Sequence, residues 1–134
     1  MTVYVRFLLA AETYAIPVEH VLEAADLGEV APVPGSRPEV LGVRNLRGQI
    51  LPVLDLGLLL GLTHAAPPGR LLVVEAAGHQ AGFAIDEVTW VGELADPAEK
   101  TESDLLAGAT LAEGGLIGVI DVSRVFDSLD GTPP

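Results

Sequence analysis

The residues that could do chemistry are few and scattered. His20, His64 and His79 show neither HxH nor HxxxH spacing, so they do not make the close ligand set that holds zinc on one strand or helix. Asp55, Asp86 and Asp121 each end an apolar run. A carboxylate there caps a helix or bonds a turn, and that accounts for all three without acid–base work between any pair. There is no cysteine, which excludes disulfides and thiol nucleophiles and permits a reducing compartment. No P-loop, GxGxxG or GxSxG occurs, so phosphate cradles and nucleophile elbows drop out. These residues point away from an enzyme, and to no cofactor or metal.

One polar side chain stands apart. From Gly42 to Leu56 the chain reads GVRNLRGQILPVLDL, two apolar runs broken at Asn45-Leu46-Arg47-Gly48-Gln49. Apolar runs flanking a short glycine-containing break predict a β-hairpin, with Gly48 supplying the positive φ of the turn. Arg47 is then lifted onto the tip, where it is either an ordinary solvated arginine or a planar interface anchor. Asp55 closes the second strand and can cap Leu56 to Leu60 as a short helix.

Residue by residue this stretch resembles the CheW family of chemotaxis coupling proteins. The matching positions are Gly42, Val43, Asn45, Leu46, Arg47 and Gly48 in the turn, then Pro52, Val53, Asp55 and Leu56. The likeness extends, more loosely, over nearly the whole chain. It implies a mostly β fold, with two SH3-like five-stranded β-barrel subdomains sharing a core and a few short helices. It also implies a non-catalytic adaptor that bridges the cytoplasmic signalling tip of chemoreceptors to the regulatory domain of a CheA-type histidine kinase. Such a protein is cytoplasmic and recruited to receptor arrays beneath the inner membrane. Arg47, Gly48, Asn45, Val21, Glu23 and Val91 fall on family positions of the partner surface, although core packing explains the two valines equally well. Trp90 departs from the family, which usually carries a polar or acidic residue there; it is either core or an exposed aromatic anchor. Two alternatives stay open: a small ligand-binding or detached regulatory β-barrel domain, and a CheW-like adaptor of a pilus or surface-motility pathway.

The elements that position these residues follow from apolar periodicity. Val3, Val5 and Phe7 alternate with Tyr4, Arg6 and Leu8 as a strand, Ala10-Ala11-Glu12 turns, and Thr13 to Ile16 returns. Pro17 stops the pairing and opens a short helix passing into an extended segment near Val21. Ala31 to Gly35 is a proline-rich connector. Ser36, Pro38 and Gly42 bracket a predicted short helix carrying Val40 and Leu41. Gly61 to Gly69, with two prolines, is the expected internal boundary. Leu71 to Glu75 and Gln80 to Asp86 are paired strands, and Val88 to Leu94 is extended. Ala95 to Asp104 reads as an acidic solvated loop with the only lysine, Lys100. Leu105 to Leu111 is ambiguous. Gly115 to Ile120 is a last strand, and Asp121 caps a helix with Val122, Val125, Phe126 and Leu129 on one face. The tail from Gly131 is expected to fray.

A repeat runs through these elements. Ile50 to Leu56 overlays Leu116 to Val122 at an offset of 66, and Tyr14-Ala15-Ile16 overlays Phe83-Ala84-Ile85 at 69. Either duplication of a β unit or the chance likeness of apolar strands explains this; duplication puts subdomains at about 1–62 and 69–130, joined near 61–69. Neither half could bury an ample core alone, so the 134 residues make one domain.

Bulk properties agree. Gly 15 and Pro 10 give 25 residues of 134, about 19% against a typical ~12%, the mark of a turn-rich chain. The formal charge of −12 repels nucleic acid and anionic lipid, leaving proteins as partners. It serves solubility equally well. No secretory leader is evident, and turns break every apolar run short of a membrane span. A mean hydropathy of +0.44 puts the surplus apolar surface into a dense core or partner contacts.

Overall fold

The computed structural model describes residues 2–98, 101, 103–113 and 115–130. Ten strands and two helices follow in order: β1 (Thr2–Leu9), β2 (Glu12–Pro17), β3 (Val21–Asp26), β4 (Val40–Leu46), β5 (Gln49–Leu54), α1 (Leu56–Leu59), β6 (Arg70–Ala76), β7 (His79–Ile85), β8 (Glu87–Leu94), β9 (Leu106–Ala112), β10 (Gly115–Ile120) and α2 (Val122–Asp130). They form two five-stranded sheets, ordered β8-β1-β2-β10-β9 and β3-β6-β7-β5-β4. The fold is the mostly β, two-barrel architecture that the resemblance implied.

The repeat exists, but its halves do not pair with themselves. The second sheet is one continuous segment, β3 to β7, while β1 and β2 join β8 to β10 to make the first. The expected split at 1–62 and 69–130 is therefore corrected. The chain crosses between sheets at Val18–His20, a single 3₁₀ turn after Pro17, and again between Ile85 and Glu87. The 61–69 loop merely links α1 to β6 within one sheet. Pro17 offers no N–H to extend the β2 ladder, and three residues of 3₁₀ helix suffice to step across.

Ladder registers refine the offsets. Leu9 pairs Glu12 and Ala76 pairs His79, which sets the first hairpins 67 residues apart, not 69. The hairpins β4–β5 and β9–β10 keep the offset of 66, since Asn45 pairs Ile50 and Leu111 pairs Leu116. Irregularities repeat as well. Leu41 and Ala107 are each the extra residue of a bulge, followed by Gly42 and Gly108 at the same φ of 148°. Leu22 and Thr89 are the extra residues of a second pair of bulges. Recurrence at matching places is what a duplicated unit leaves behind.

That bulge also overturns the short helix expected before Gly42. Val40 is already in β4, paired with Leu54, and Ala31 exchanges two backbone hydrogen bonds of 2.9 Å with Val43. A β-carbon on Gly42 would lie 2.2 Å from the Ala31 carbonyl oxygen. The glycine reads as a helix stop, yet it is what lets two strands approach. The ambiguous segment before Leu111 is strand β9. Lys100 and the tail from Gly131 lie outside the described residues.

Alternation along each strand serves two cores. Val5, Phe7 and Leu9 of β1 meet Leu72, Val74 and Phe83 of the other sheet, with Val122, Val125 and Phe126 of α2 closing the interface. Tyr4 faces the other way, with Ala15, Leu94, Ile117 and Val119 inside the curl of the first sheet. Leu51, Val53, Leu71, Val73 and Ala84 fill the second. The shared layer is the larger, which is why the two curls form one body.

Candidate protein-interaction site

Leu46 pairs Gln49, so the β4–β5 turn has two residues, Arg47 at φ 51° and Gly48 at φ 85°. Two successive left-handed residues make the type I′ turn whose twist matches the strands, a place where Asn-Gly is ordinary and Arg-Gly is not. Asn45 Oδ1 accepts from the Gly48 N–H at 2.9 Å and fixes the bend. Arg47 is thus held in a conformation costing a non-glycine residue about 1 kcal/mol, with its side chain 69% exposed.

The guanidinium is tethered. Arg47 Nη2 donates to Glu23 Oε1 of β3, the strand at the opposite edge of the same sheet. The ion pair therefore spans the open end of the curl. Beside it Gln49 donates to Gln80 Oε1 at 2.6 Å, and Gln80 to Glu75 Oε2 at 2.8 Å. Exposed Ile50 and Leu22 flank this polar strip, at 59% and 49% exposure. A cation on an over-determined turn with apolar neighbours is the kind of group from which interface anchors are built.

Of the residues singled out, the structure brings together Arg47, Gly48, Asn45 and Glu23. Val21 begins β3 and packs, half-buried, against the shared core. Val91 lies exposed on β8, an edge of the other sheet. The sequence reading did not single out Ile50, Leu22 or Arg44. Arg44 Nε donates to the Leu27 carbonyl at 2.9 Å, clasping β4 to the end of β3, and its guanidinium covers Gly28. Leu27 and Gly28, far upstream of Arg44, give no sequence signal for that clasp.

The groups that might have done chemistry have structural roles. Asp55 Oδ1 accepts from the Leu58 N–H at 3.0 Å and Asp121 Oδ1 from the Arg124 N–H at 3.1 Å, each capping a helix. Asp86 Oδ2 accepts from the Ala10 N–H at 2.8 Å and holds the β1–β2 turn. His64 Nε2 meets Asp55 at 3.1 Å, and His20 Nδ1 lies 3.0 Å from the Glu75 carbonyl. Among the described residues no group of three or more His, Asp or Glu could hold a metal, and no helix is long and apolar enough to cross a membrane.

Residues 3–130 match the CheW-like domain. The chain is 36% identical over 132 residues to the chemotaxis protein CheW of Helicobacter pylori, covering 92% of this chain and 80% of that one. It is 34% identical over 110 residues to Protein FrzA of Myxococcus xanthus, covering 81% and 67%. The crystal structure of the scaffolding protein TtCheW from Thermoanaerobacter tengcongensis superposes with a TM-score of 0.82 at 27% identity, over 90% of this chain and 84% of that one. Together with the duplicated barrels and the Asn-Leu-Arg-Gly turn, these matches show that the chain belongs to the CheW-like domain family of non-catalytic chemotaxis adaptors.

Proposed function

We propose that this chain couples the cytoplasmic signalling tip of chemoreceptors to the regulatory domain of a CheA-type histidine kinase, and that Arg47 is the receptor-facing anchor. The output is geometry: two binding surfaces on one rigid body keep receptor and kinase together, which raises the effective concentration of each for the other. The observation carrying this reading is the strained, tethered turn. A merely solvated arginine needs neither a left-handed backbone nor a carboxylate partner from the far edge of the sheet, whereas a pre-organised anchor loses less freedom on binding. Asn45 and Gly48 shape the turn and Glu23 aims the guanidinium. Val91 belongs to a second patch on the other sheet, and Val21 supports β3 from beneath.

The test is recovery of the full chain by an immobilised receptor cytoplasmic fragment. Arg47→Ala should reduce recovery while the melting temperature stays nearly constant. Equal recovery of both proteins would refute Arg47 as the anchor.

A further inference from the structure

The matching end of the first sheet carries a different constellation. The 67-residue offset that sets Leu9 over Ala76 sets Arg6 over Val73, so the first curl holds an arginine where the second holds a buried valine. The Arg6 side chain is only 13% exposed. Its guanidinium lies 4.7 Å from the centre of the Trp90 ring. The indole in turn lies over Gly92, where a β-carbon would come within 2.3 Å of it. Arg6 Nη1 donates to Glu113 Oε2 at 3.3 Å, and Nε is buried without an acceptor among the described residues. Glu113 occupies the β9–β10 turn at φ 49°, the counterpart of Arg47, with its side chain 81% exposed.

A guanidinium carries five donors in a planar fork suited to a bidentate carboxylate. Here one long contact to a mostly hydrated glutamate answers a mostly buried cation. A buried charge so weakly paired is costly. Arg6, Thr13, Glu113, Leu116 and Ile117 line a depression of about 230 Å³ at this point. We infer that it is a carboxylate-binding site, whose occupant is an aspartate or glutamate side chain of a protein partner. Glu113 is the internal placeholder that this side chain displaces. The surroundings decide for a protein source: Leu116 lines the depression, 61% exposed, and its cross-strand partner Leu111 stands beside it at 70%. Exposed apolar surface beside a desolvated charge is the anatomy of a protein interface, and a small free carboxylate would use none of it. The site shares no residue with the Arg47 anchor, so either reading can fail alone.

Trp90 is the only tryptophan, and its fluorescence reports the Arg6 stack directly. Full-length protein is titrated with acetyl-Leu-Asp-Leu-amide, with the Asn analogue, and with sodium acetate at matched ionic strength. The Asp peptide should change Trp90 emission saturably, the Asn peptide should not, and acetate should bind at least about tenfold more weakly, one hot-spot contact's worth. Glu113→Gln should tighten the peptide roughly two- to fivefold, the worth of an exposed competing ion pair, and Arg6→Met should abolish the response. No saturable change with the Asp peptide, in wild type and in Glu113→Gln, overturns the site. So does an equal response to the Asn peptide, and acetate binding as tightly as the peptide overturns the protein source. Glu113→Gln lies at the surface, so the test survives a misfolded Arg6→Met.

Discussion

Replacing Arg47 with asparagine separates binding from stability more cleanly than truncation does. The substitution removes the ion pair to Glu23, whose partners are 69% and 32% exposed; a pair of that kind is worth about 0.2–1 kcal/mol. Against that, asparagine accepts the left-handed φ of 51° at this turn, relieving about 1 kcal/mol of backbone strain. The two contributions nearly cancel, so stability should stay within about 1 kcal/mol of the parent, a melting shift of no more than roughly 5 °C. Receptor binding has no such offset. Losing an arginine anchor costs about 2 kcal/mol, roughly thirtyfold in Kd. The assay pairs a thermal melt followed by circular dichroism with titration calorimetry against a receptor cytoplasmic fragment. An unchanged Kd would refute the anchor. A Kd loss accompanied by destabilisation of several kcal/mol would refute the claim that the turn is rigid independently of Arg47.

Other substitutions probe the frame. Gly42→Ala puts a β-carbon against the Ala31 carbonyl inside a two-bond bridge and should cost about 2–4 kcal/mol in urea unfolding. Gly48→Ala meets open space and should cost only about 1 kcal/mol of left-handed strain. Asp121→Ala should lose one helix cap, about 1 kcal/mol; Asp55→Ala should lose nearly twice that, because Asp55 also partners a mostly buried His64. Burial, and then the Glu12 carboxylate 2.6 Å away, push the Tyr14 phenol well above its usual 10.0. The folded state therefore holds that proton more tightly than the unfolded chain. The stabilisation is complete below pH 10 and is lost above it, by up to about 1.4 kcal/mol per pH unit. Urea unfolding at pH 9 and pH 11 should show the loss, and Tyr14→Phe should reduce it.

Much of this was legible in the sequence because local rules acted there. The Arg47 turn, the caps at Asp55 and Asp121, the single-faced helix α2 and the extended passage after Val18–His20 all depend on residues a few positions apart. What could not be read depended on distant pairing. Ser36, Pro38 and Gly42 bracket Val40 and Leu41 as helix-end residues would, and only the Ala31 bridge and the β5 ladder make them strand. The repeat was visible, but which half each hairpin joins is decided by two short crossings, and no periodicity records them. Family likeness marked Glu23 and Val91 together, yet they stand on different sheets. Arg6 was legible only as one residue of an alternating strand, since nothing nearby shows that its side of β1 faces the inside of a curl. Trp90 was seen as a departure; its partner lay 84 residues away, at Arg6.

The central claim, that one rigid body holds receptor and kinase together, is tested most directly by kinase retention on an immobilised receptor cytoplasmic fragment with and without this chain. Retention should rise sharply when the chain is added and should fall back to background with Arg47→Ala. Retention that is the same without the chain, or that survives the substitution in full, would contradict the account.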